Sequence, residues 1–180
     1  MYGKWHLGFH LPYMPTRFGF EEFRGIVHGD SDHHSRVLTQ HGVAFIEKNQ
    51  RRPFFLYLPR LSIHFPWQGP NGDLASKDMT VQAKAMVEHL VACVGRILAA
   101  LKRSGILENT LVIFISDNGG YINYEGGHRV PAIVSWPGRI RPGVTDSTAA
   151  SFDLLPTFAH LAGPDPFHRP RRNQPPPCLL

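Results

Sequence analysis

A helical repeat of apolar positions between residues 81 and 103 is the clearest pattern in the chain. The apolar residues recur at intervals of three and four, at Met86, Leu90, Cys93, Val94, Ile97, Leu98 and Leu101. This spacing predicts an amphipathic helix, with Lys102 and Arg103 at its negative end and Gly105 as a stop. A weaker pattern of the same kind predicts a short helix over residues 37–49.

A last short helix is predicted over residues 151–162. Ser151 or Asp153 would cap it, and Gly163 would terminate it. Because Pro156 lies inside this segment, the helix must begin late, near Leu155.

Three apolar runs, two of them unbroken, predict buried strands. They span residues 54–58, 111–115 and 132–136, and each is bounded by polar, proline or glycine residues. Runs of this kind are typical of strands covered on both faces, as in a parallel sheet. Since strands and helices alternate, we expect an α/β domain with helices flanking a mostly parallel sheet.

Composition supports a globular domain followed by a tail. The 180 residues are 42% apolar and 18% charged, which is enough for one domain with a substantial core. We expect this domain to span residues 1–163 and the Pro- and Arg-rich residues 164–180 to be disordered. Two cysteines are too few for a disulfide framework, and Cys93 suits a small buried side chain within the helical repeat.

Charge and hydropathy exclude some partners. The net charge of +5 comes from basic residues that are scattered, apart from Arg169, Arg171 and Arg172 in the tail. A nucleic-acid-binding protein normally gathers such residues on one face, whereas attraction to an anionic substrate is compatible with the excess. No apolar run approaches the ~20 residues that span a bilayer, and the first residues form no signal segment. We therefore expect neither a nucleic-acid nor a membrane partner.

Polar residues follow two of the predicted strands, where open α/β sheets bind their ligands. Asp117 and Asn118 come directly after the run 111–115 and are followed by two glycines. A carboxylate beside an amide carbonyl offers hard oxygen donors that suit Ca²⁺ or Mg²⁺. An Asn-Gly pair between apolar runs is equally a hairpin signal, and the local sequence favours that turn.

Three further side chains are candidates for proton or anion chemistry. If residues 2–7 are extended, Lys4 and His6 point to the same face, where they could hold an oxyanion and move a proton. A half-exposed strand with ordinary polar alternation explains the same pattern. His64, which follows the run 54–58, is by itself more typical of a hydrogen-bonded loop residue. The histidines and aspartates of residues 28–34, HGDSDHH, could bind a transition metal, but a solvated polar loop fits them better.

Several segments taken in order resemble the sulfatase family of the alkaline phosphatase superfamily. The segments are GKWHLG, GFEEFRG, RPFFLYL, HFPW, TLVIFISDNGG, EGGHRVPAIVSWPGRI and DLLPTFAHLAG. The resemblance implies a partial domain of that fold and a calcium-assisted hydrolysis of a sulfate ester. It also implies that Asp117 and Asn118 are calcium ligands, that Lys4 and His6 hold the sulfate, and that His64 lies near the leaving oxygen.

The chain departs from the family pattern at the catalytic nucleophile. The family's formylglycine comes from a Cys or Ser in a C/S-x-P-S-R segment, and the 180 residues contain none. The paired aspartates that complete the family's calcium site are also missing. Only residues 121–124, without a basic side chain, separate SDNGG from EGG, where the family usually has a lysine. We therefore expect this chain by itself to hydrolyse no sulfate ester.

Three functional hypotheses remain open. The chain is an incomplete sulfatase, a non-catalytic protein that binds a sulfated small molecule or glycan, or a phosphomonoester or phosphonate hydrolase of the same superfamily. Members of the family are usually exported or delivered to lysosomes, and the sequence does not show which location applies to this chain. It also does not identify the sulfate ester.

Overall fold

The computed structural model describes residues 1–28, 35–64, 67, 78–119 and 125–163. They fall into two compact units, Met1–Trp136 and Pro137–Leu180. The HGDSDHH cluster beyond His28, the residues 121–124 and the predicted tail lie outside the described residues. Within the described residues, no helix combines the length and the apolar character needed to cross a membrane.

Short strands and two long helices build the first unit. The strands are β1 (Tyr2–Lys4), β2 (Arg24–Ile26), β3 (Val112–Ile115) and β4 (Ala132–Ser135). The helices are α1 (Ser35–Asn49), α2 (Met79–Arg103) and the single turn α3 (Glu125–His128). The second unit contains α4 (Leu154–Ala162), preceded by a 3-10 turn at Ser151–Asp153.

The predicted helices are confirmed, with small changes at their ends. Asp78 caps α2 by accepting a hydrogen bond from Thr80 N at 2.8 Å, so the helix begins before the apolar repeat does. Helix α4 begins at Leu154 and ends at Ala162, and it is followed by Gly163, whose φ of 120° is readily available to glycine. Pro156 therefore lies in the first turn of the helix, where no intrahelical N–H is required.

The strands pair in two different ways. β1 pairs with β2 in parallel, whereas β3 and β4 are antiparallel, with Ile115 opposite Ala132. Residues 54–59 are extended beside β1, because Tyr2 N donates to Tyr57 O and Lys4 N to Pro59 O, each at 3.0 Å. Both bonds advance in the same chain direction, so this contact is parallel. The expected parallel arrangement is thus found on both sides of β1, whereas β3 and β4 form a separate, antiparallel two-stranded sheet.

The prediction that residues 54–58 are covered on both faces is wrong. Burial alternates along the run, and Phe55 and Tyr57 remain about half exposed. Phe54 and Leu56 pack against the helices, while Phe20 stacks on the rings of the other two, with centroids 6.1 and 6.4 Å away. The run therefore has one helix-covered face, and its other face is largely open.

The core lies where α1 crosses α2. Ile46, Ala100 and Leu101 are almost completely buried there, and Phe54, Leu56 and Val112 pack against them. Gly42 allows the close approach of the two helices, since a Cβ at this position would meet Ile97 Cδ1 at 3.0 Å. This helix layer supports the extended segments whose carboxyl ends carry the candidate site.

Candidate functional site

Lys4 ends β1 between two neighbouring chain segments. Its backbone N–H donates to Pro59 O, and the next residue, Trp5, donates to Ile26 O at 2.9 Å. Gly3 and Gly25 make this arrangement possible, because a Cβ on Gly3 would collide with Pro59 O and one on Gly25 with Gly3 O. The backbone of Lys4, a half-buried residue, is therefore held at the carboxyl edge shared by β1, β2 and residues 54–59.

His6 does not continue the strand, so the prediction that residues 2–7 form one extended strand with Lys4 and His6 on the same face is wrong. Strand β1 ends at Lys4, and His6 has a φ of 52°. It is the one non-glycine residue with a positive φ in the described part of the chain. Left-handed backbone of this kind is uncommon outside glycine, although histidine is among the residues that tolerate it. It turns the chain at the sheet edge, where the His6 side chain is exposed.

His64 follows the extended segment 54–59 through a turn. Leu61 is buried and anchors this turn, and His64 N donates to Leu61 O at 2.8 Å. Arg60 points into the helix layer, where its Nη1 donates to Thr39 Oγ1 at 2.8 Å, and burial lowers the pKa of its guanidinium. The His64 side chain is exposed, on the chain segment that leaves the edge carrying Lys4.

Asp117 and Asn118 lie in a turn after β3 that packs on α3. Ser116 Oγ donates to Asn118 O at 3.0 Å, and Gly119 N donates to Gly127 O at 3.0 Å. Gly119 has no room for a side chain, since a Cβ would collide with Gly126 O. The local sequence predicts a tight hairpin at Asn118-Gly119, and this prediction is wrong. The strands that pair, β3 and β4, are separated by residues 116–131, which is far longer than a hairpin turn.

Asp117 is within electrostatic range of the extended segment that also contacts Lys4. Burial raises the pKa of the Tyr57 hydroxyl, and the negative charge of Asp117 raises it further. Tyr57 and Pro59 are also the residues whose carbonyls bind β1. The Lys4 backbone is thus hydrogen-bonded to Pro59, and Asp117 is close enough to Tyr57 for its charge to act on the hydroxyl. His6 follows Lys4 by two residues and His64 follows Pro59 by five.

The described residues fit a calcium ion only in part. Asp117 and Asn118 are exposed and offer oxygen donors of the kind Ca²⁺ prefers. Calcium normally takes six to eight donors, and the described ranges contain no group of three or more His, Cys, Asp or Glu side chains that could hold a metal ion. These residues therefore do not form a complete calcium site.

A buried thiol and a partly exposed imidazole form a pair in the helix layer that none of the sequence patterns above predicts. Cys93, which is buried as expected, lies with its Sγ 3.5 Å from His89 Nε2. Burial lowers the pKa of His89, and the charges of Arg36, Arg60 and Arg96 lower it further. The four-residue spacing of His89 and Cys93 on α2 indicates their proximity, but the three arginines come together only through the fold.

Comparison with protein families gives one match that covers most of the chain. Residues 1–164 match the family model described as Sulfatase. The chain is 40% identical to human arylsulfatase A over 134 residues, which is 64% of this chain and 26% of that protein. It is 30% identical to the N-acetylgalactosamine-6-sulfatase of the dog over 218 aligned positions, covering 89% of this chain and 42% of the relative.

Solved structures agree with the fold. The crystal structure of Ps i-CgsB superposes with a TM-score of 0.78 at 27% identity, over 89% of this chain and 49% of that one. The same protein in complex with k-i-k-neocarrahexaose gives a TM-score of 0.79 at the same identity and coverage. The chain therefore spans between about a quarter and a half of the length of the relatives it matches.

Proposed function

Because the chain belongs to the sulfatase family, we propose that it carries the sulfate-binding part of a sulfuric ester hydrolase site. The side chains assigned to this site are Lys4, His6, His64, Asp117 and Asn118. The observation that carries the proposal is the position of Lys4 at the carboxyl end of β1, where its backbone donates to Pro59 O, with Asp117 within electrostatic range of Tyr57. Ligands of open α/β sheets bind at this type of edge.

Each side chain has a role that its chemistry supports. The ammonium group of Lys4 offsets the negative charge on the sulfuryl oxygens, which increases toward the transition state. His6 and His64 are exposed imidazoles that can exchange a proton with the ester or leaving oxygen. Asp117 and Asn118 would contribute two oxygen donors to a calcium site, which needs further donors to reach the usual six to eight.

We further propose that these 180 residues bind a sulfate ester without hydrolysing it. The chain contains no C/S-x-P-S-R segment, and neither Cys93 nor Cys178 stands in such a context. Without a nucleophile, the protein cannot form the covalent enzyme intermediate through which the ester would be hydrolysed. The ligand would be the sulfate ester of a sugar or an aryl alcohol, as the names of its relatives suggest.

The proposal is tested with 4-nitrocatechol sulfate and the purified chain. We expect calorimetric binding but no release of 4-nitrocatechol above the rate in buffer. Lys4→Met should weaken binding about tenfold, since a hydrogen bond to a charged group contributes roughly 1.5 kcal/mol or more. Lys102→Met is the matched control, because Lys102 is exposed at the far end of α2 and should leave binding unchanged.

Three outcomes would contradict parts of this proposal. Steady turnover by the purified chain would show that it has a nucleophile or an activated water. Equal binding by the Lys4→Met and Lys102→Met variants would remove Lys4 from the site. Tighter binding of 4-nitrophenyl phosphate than of the sulfate would favour the phosphomonoester hydrolases of the same superfamily.

A further inference from the structure

Trp5 lies between the first two side chains assigned to the site and is held by three contacts. Its backbone N–H donates to Ile26 O of β2 at 2.9 Å, and its indole Nε1–H donates to Tyr13 O at 2.6 Å. The indole ring also packs against Phe18, with centroids 5.5 Å apart. Trp5 thus ties the carboxyl end of β1 both to the neighbouring strand and to the chain that follows.

The partners of the indole belong to a segment that is anchored by a buried proline. Two short 3-10 turns, Leu11–Tyr13 and Pro15–Arg17, follow one another there. Less than 2% of Pro15 is exposed, and Phe18 N donates to Pro15 O at 2.9 Å. The Tyr13 carbonyl and the Phe18 ring are therefore a fixed support for the indole.

The hydrogen bond from Trp5 to Tyr13 closes a short loop that contains His6. The two bonded residues are eight positions apart, and the backbone between them has a positive φ at His6, 52°, and at Gly8, 121°. Gly8 packs on the end of the loop, since a Cβ there would come within 2.7 Å of Tyr13 Cβ. A left-handed residue other than glycine is unfavourable and persists where surrounding contacts determine its conformation. For His6, these contacts are the ones that close the loop.

We propose that Trp5 is a positioning residue, which holds His6 in its left-handed conformation and thereby sets the direction of the imidazole at the carboxyl end of β1. The inference rests on the proposed function, which gives His6 its place beside the sulfate ester. Trp5 acts through His6 and does not bind the ligand, since Tyr13 O already accepts its indole N–H. A change of His6 to right-handed or extended backbone would point its Cβ in another direction.

The Trp5→Phe variant separates this role from a general contribution to stability. A phenyl ring can still pack on Phe18, and the backbone bond to Ile26 O does not depend on the side chain. The variant loses the indole N–H that donates to Tyr13 O, so the loop opens at one end. We therefore expect the strand to keep its pairing while His6 loses its left-handed conformation.

The first measurement is the one-bond coupling between Cα and Hα of His6 in the full chain, which distinguishes positive from negative φ by NMR. We expect a positive φ in the parent chain and a negative φ in Trp5→Phe. Gly8→Ala opens the same loop from within and leaves the indole intact, so it should give the same change. Trp136→Phe is the matched control and should keep the parent coupling, because Trp136 follows β4 at the end of the β3–β4 pair away from Asp117.

The second measurement is a double-mutant cycle, in which calorimetry follows the binding of 4-nitrocatechol sulfate. Trp5→Phe and His6→Ala should each weaken binding roughly three- to tenfold. The double variant should bind no more weakly than His6→Ala does, because a residue that acts only through another has no effect once the other is removed. Trp136→Phe should bind like the parent chain.

The outcomes separate this inference from the proposed function. The inference is wrong if His6 keeps a positive φ in both Trp5→Phe and Gly8→Ala, or if the two losses in the cycle multiply, as they do for a purely structural role. If His6→Ala binds as tightly as the parent chain, the proposed function loses His6, whereas the NMR coupling still decides whether Trp5 fixes its backbone. Melting followed by circular dichroism shows that the variants compared are folded.

Discussion

At the scale of single residues, Glu22 joins β1, β2 and α1. Tyr2 Oη donates to Glu22 Oε2 at 2.6 Å, and Lys48 Nζ donates to Glu22 Oε1 at 2.8 Å. The hydrogen bond from Lys48 and then that from Tyr2 lower the pKa of Glu22 from 4.5 to about 2. Burial, followed by the hydrogen bond to Glu22, raises the pKa of Tyr2 to about 12. The ionised carboxylate therefore stabilises the position of the strand that ends at Lys4.

Glu22→Gln should lower the melting temperature at pH 7 and have progressively less effect as the pH falls. The folded pKa of Glu22 lies below its ordinary value of 4.5, so its contribution is present above that value. It is lost as the pH falls from about 4.5 toward about 2. Melting followed by circular dichroism at several pH values measures the difference between the two chains.

Glu21→Gln is the matched control, since Glu21 is the exposed neighbour of Glu22. It should give a small difference from the parent chain that does not change across the same pH window. A Glu22→Gln difference that stays constant from pH 7 to pH 2 would show that the carboxylate charge does not stabilise the fold.

At the scale of elements, two glycines set the spacing of the parallel strands. Gly3 contacts Pro59 O, and Gly25 contacts Gly3 O, so neither position can accept a Cβ without a shift of the backbone. Gly3 also has a φ of 148°, which side-chain-bearing residues rarely adopt. The edge that carries Lys4 is therefore held by backbone contacts that only glycine permits.

Gly3→Ala should destabilise the chain by about 1–3 kcal/mol or more, because overpacking and backbone strain act together. Gly95→Ala should do the reverse and stabilise it by about 1 kcal/mol, since Gly95 is exposed within α2 and nothing lies within 4 Å of an added Cβ. Urea unfolding of both variants measures the two free energies of unfolding. A Gly3→Ala variant as stable as the parent chain would contradict the strand spacing described here.

Elements with their own periodicity could be predicted, and elements made by tertiary contact could not. Helix α2 follows from its apolar repeat, although its start depends on the Asp78 cap, which lies before that repeat. β2, Arg24–Ile26, has no apolar alternation and exists because Gly25 fits against Gly3. The apolar run predicts that residues 54–58 are extended, but the exposure of the face that carries Phe55 and Tyr57 depends on what packs there.

The candidate site likewise contains features that the sequence pattern predicts and features that depend on tertiary contacts. The position of Asp117 at a strand end follows from the apolar run 111–115 that precedes it. The end of β1 at Lys4 cannot be predicted, since the alternating pattern of residues 2–7 continues past it. The turn at His6 cannot be predicted either, because a left-handed residue at a strand end leaves no periodic signal in the sequence. Asp117 and Tyr57 are far apart in the chain and come within electrostatic range of each other only in the folded protein.

At the scale of the whole molecule, large apolar surfaces of the Met1–Trp136 unit remain uncovered. β4 is exposed along its whole length, with Ile133 61% and Val134 42% exposed. Successive strand residues point to opposite faces, so both faces of β4 are open. Helix α2 exposes Val87 and Val91 as well. A strand that is paired on one side and apolar on both faces is a site of self-association.

Ile133→Lys should therefore reduce association of the purified chain with itself. The charged side chain opposes edge-to-edge pairing of β4, and it costs little stability because Ile133 is mostly exposed. Val144→Lys is the matched control, since it adds the same charge at a fully exposed position outside any strand. Light scattering against protein concentration should show slower growth for Ile133→Lys than for Val144→Lys. Equal growth would mean that net charge alone limits association and that β4 is not the surface involved.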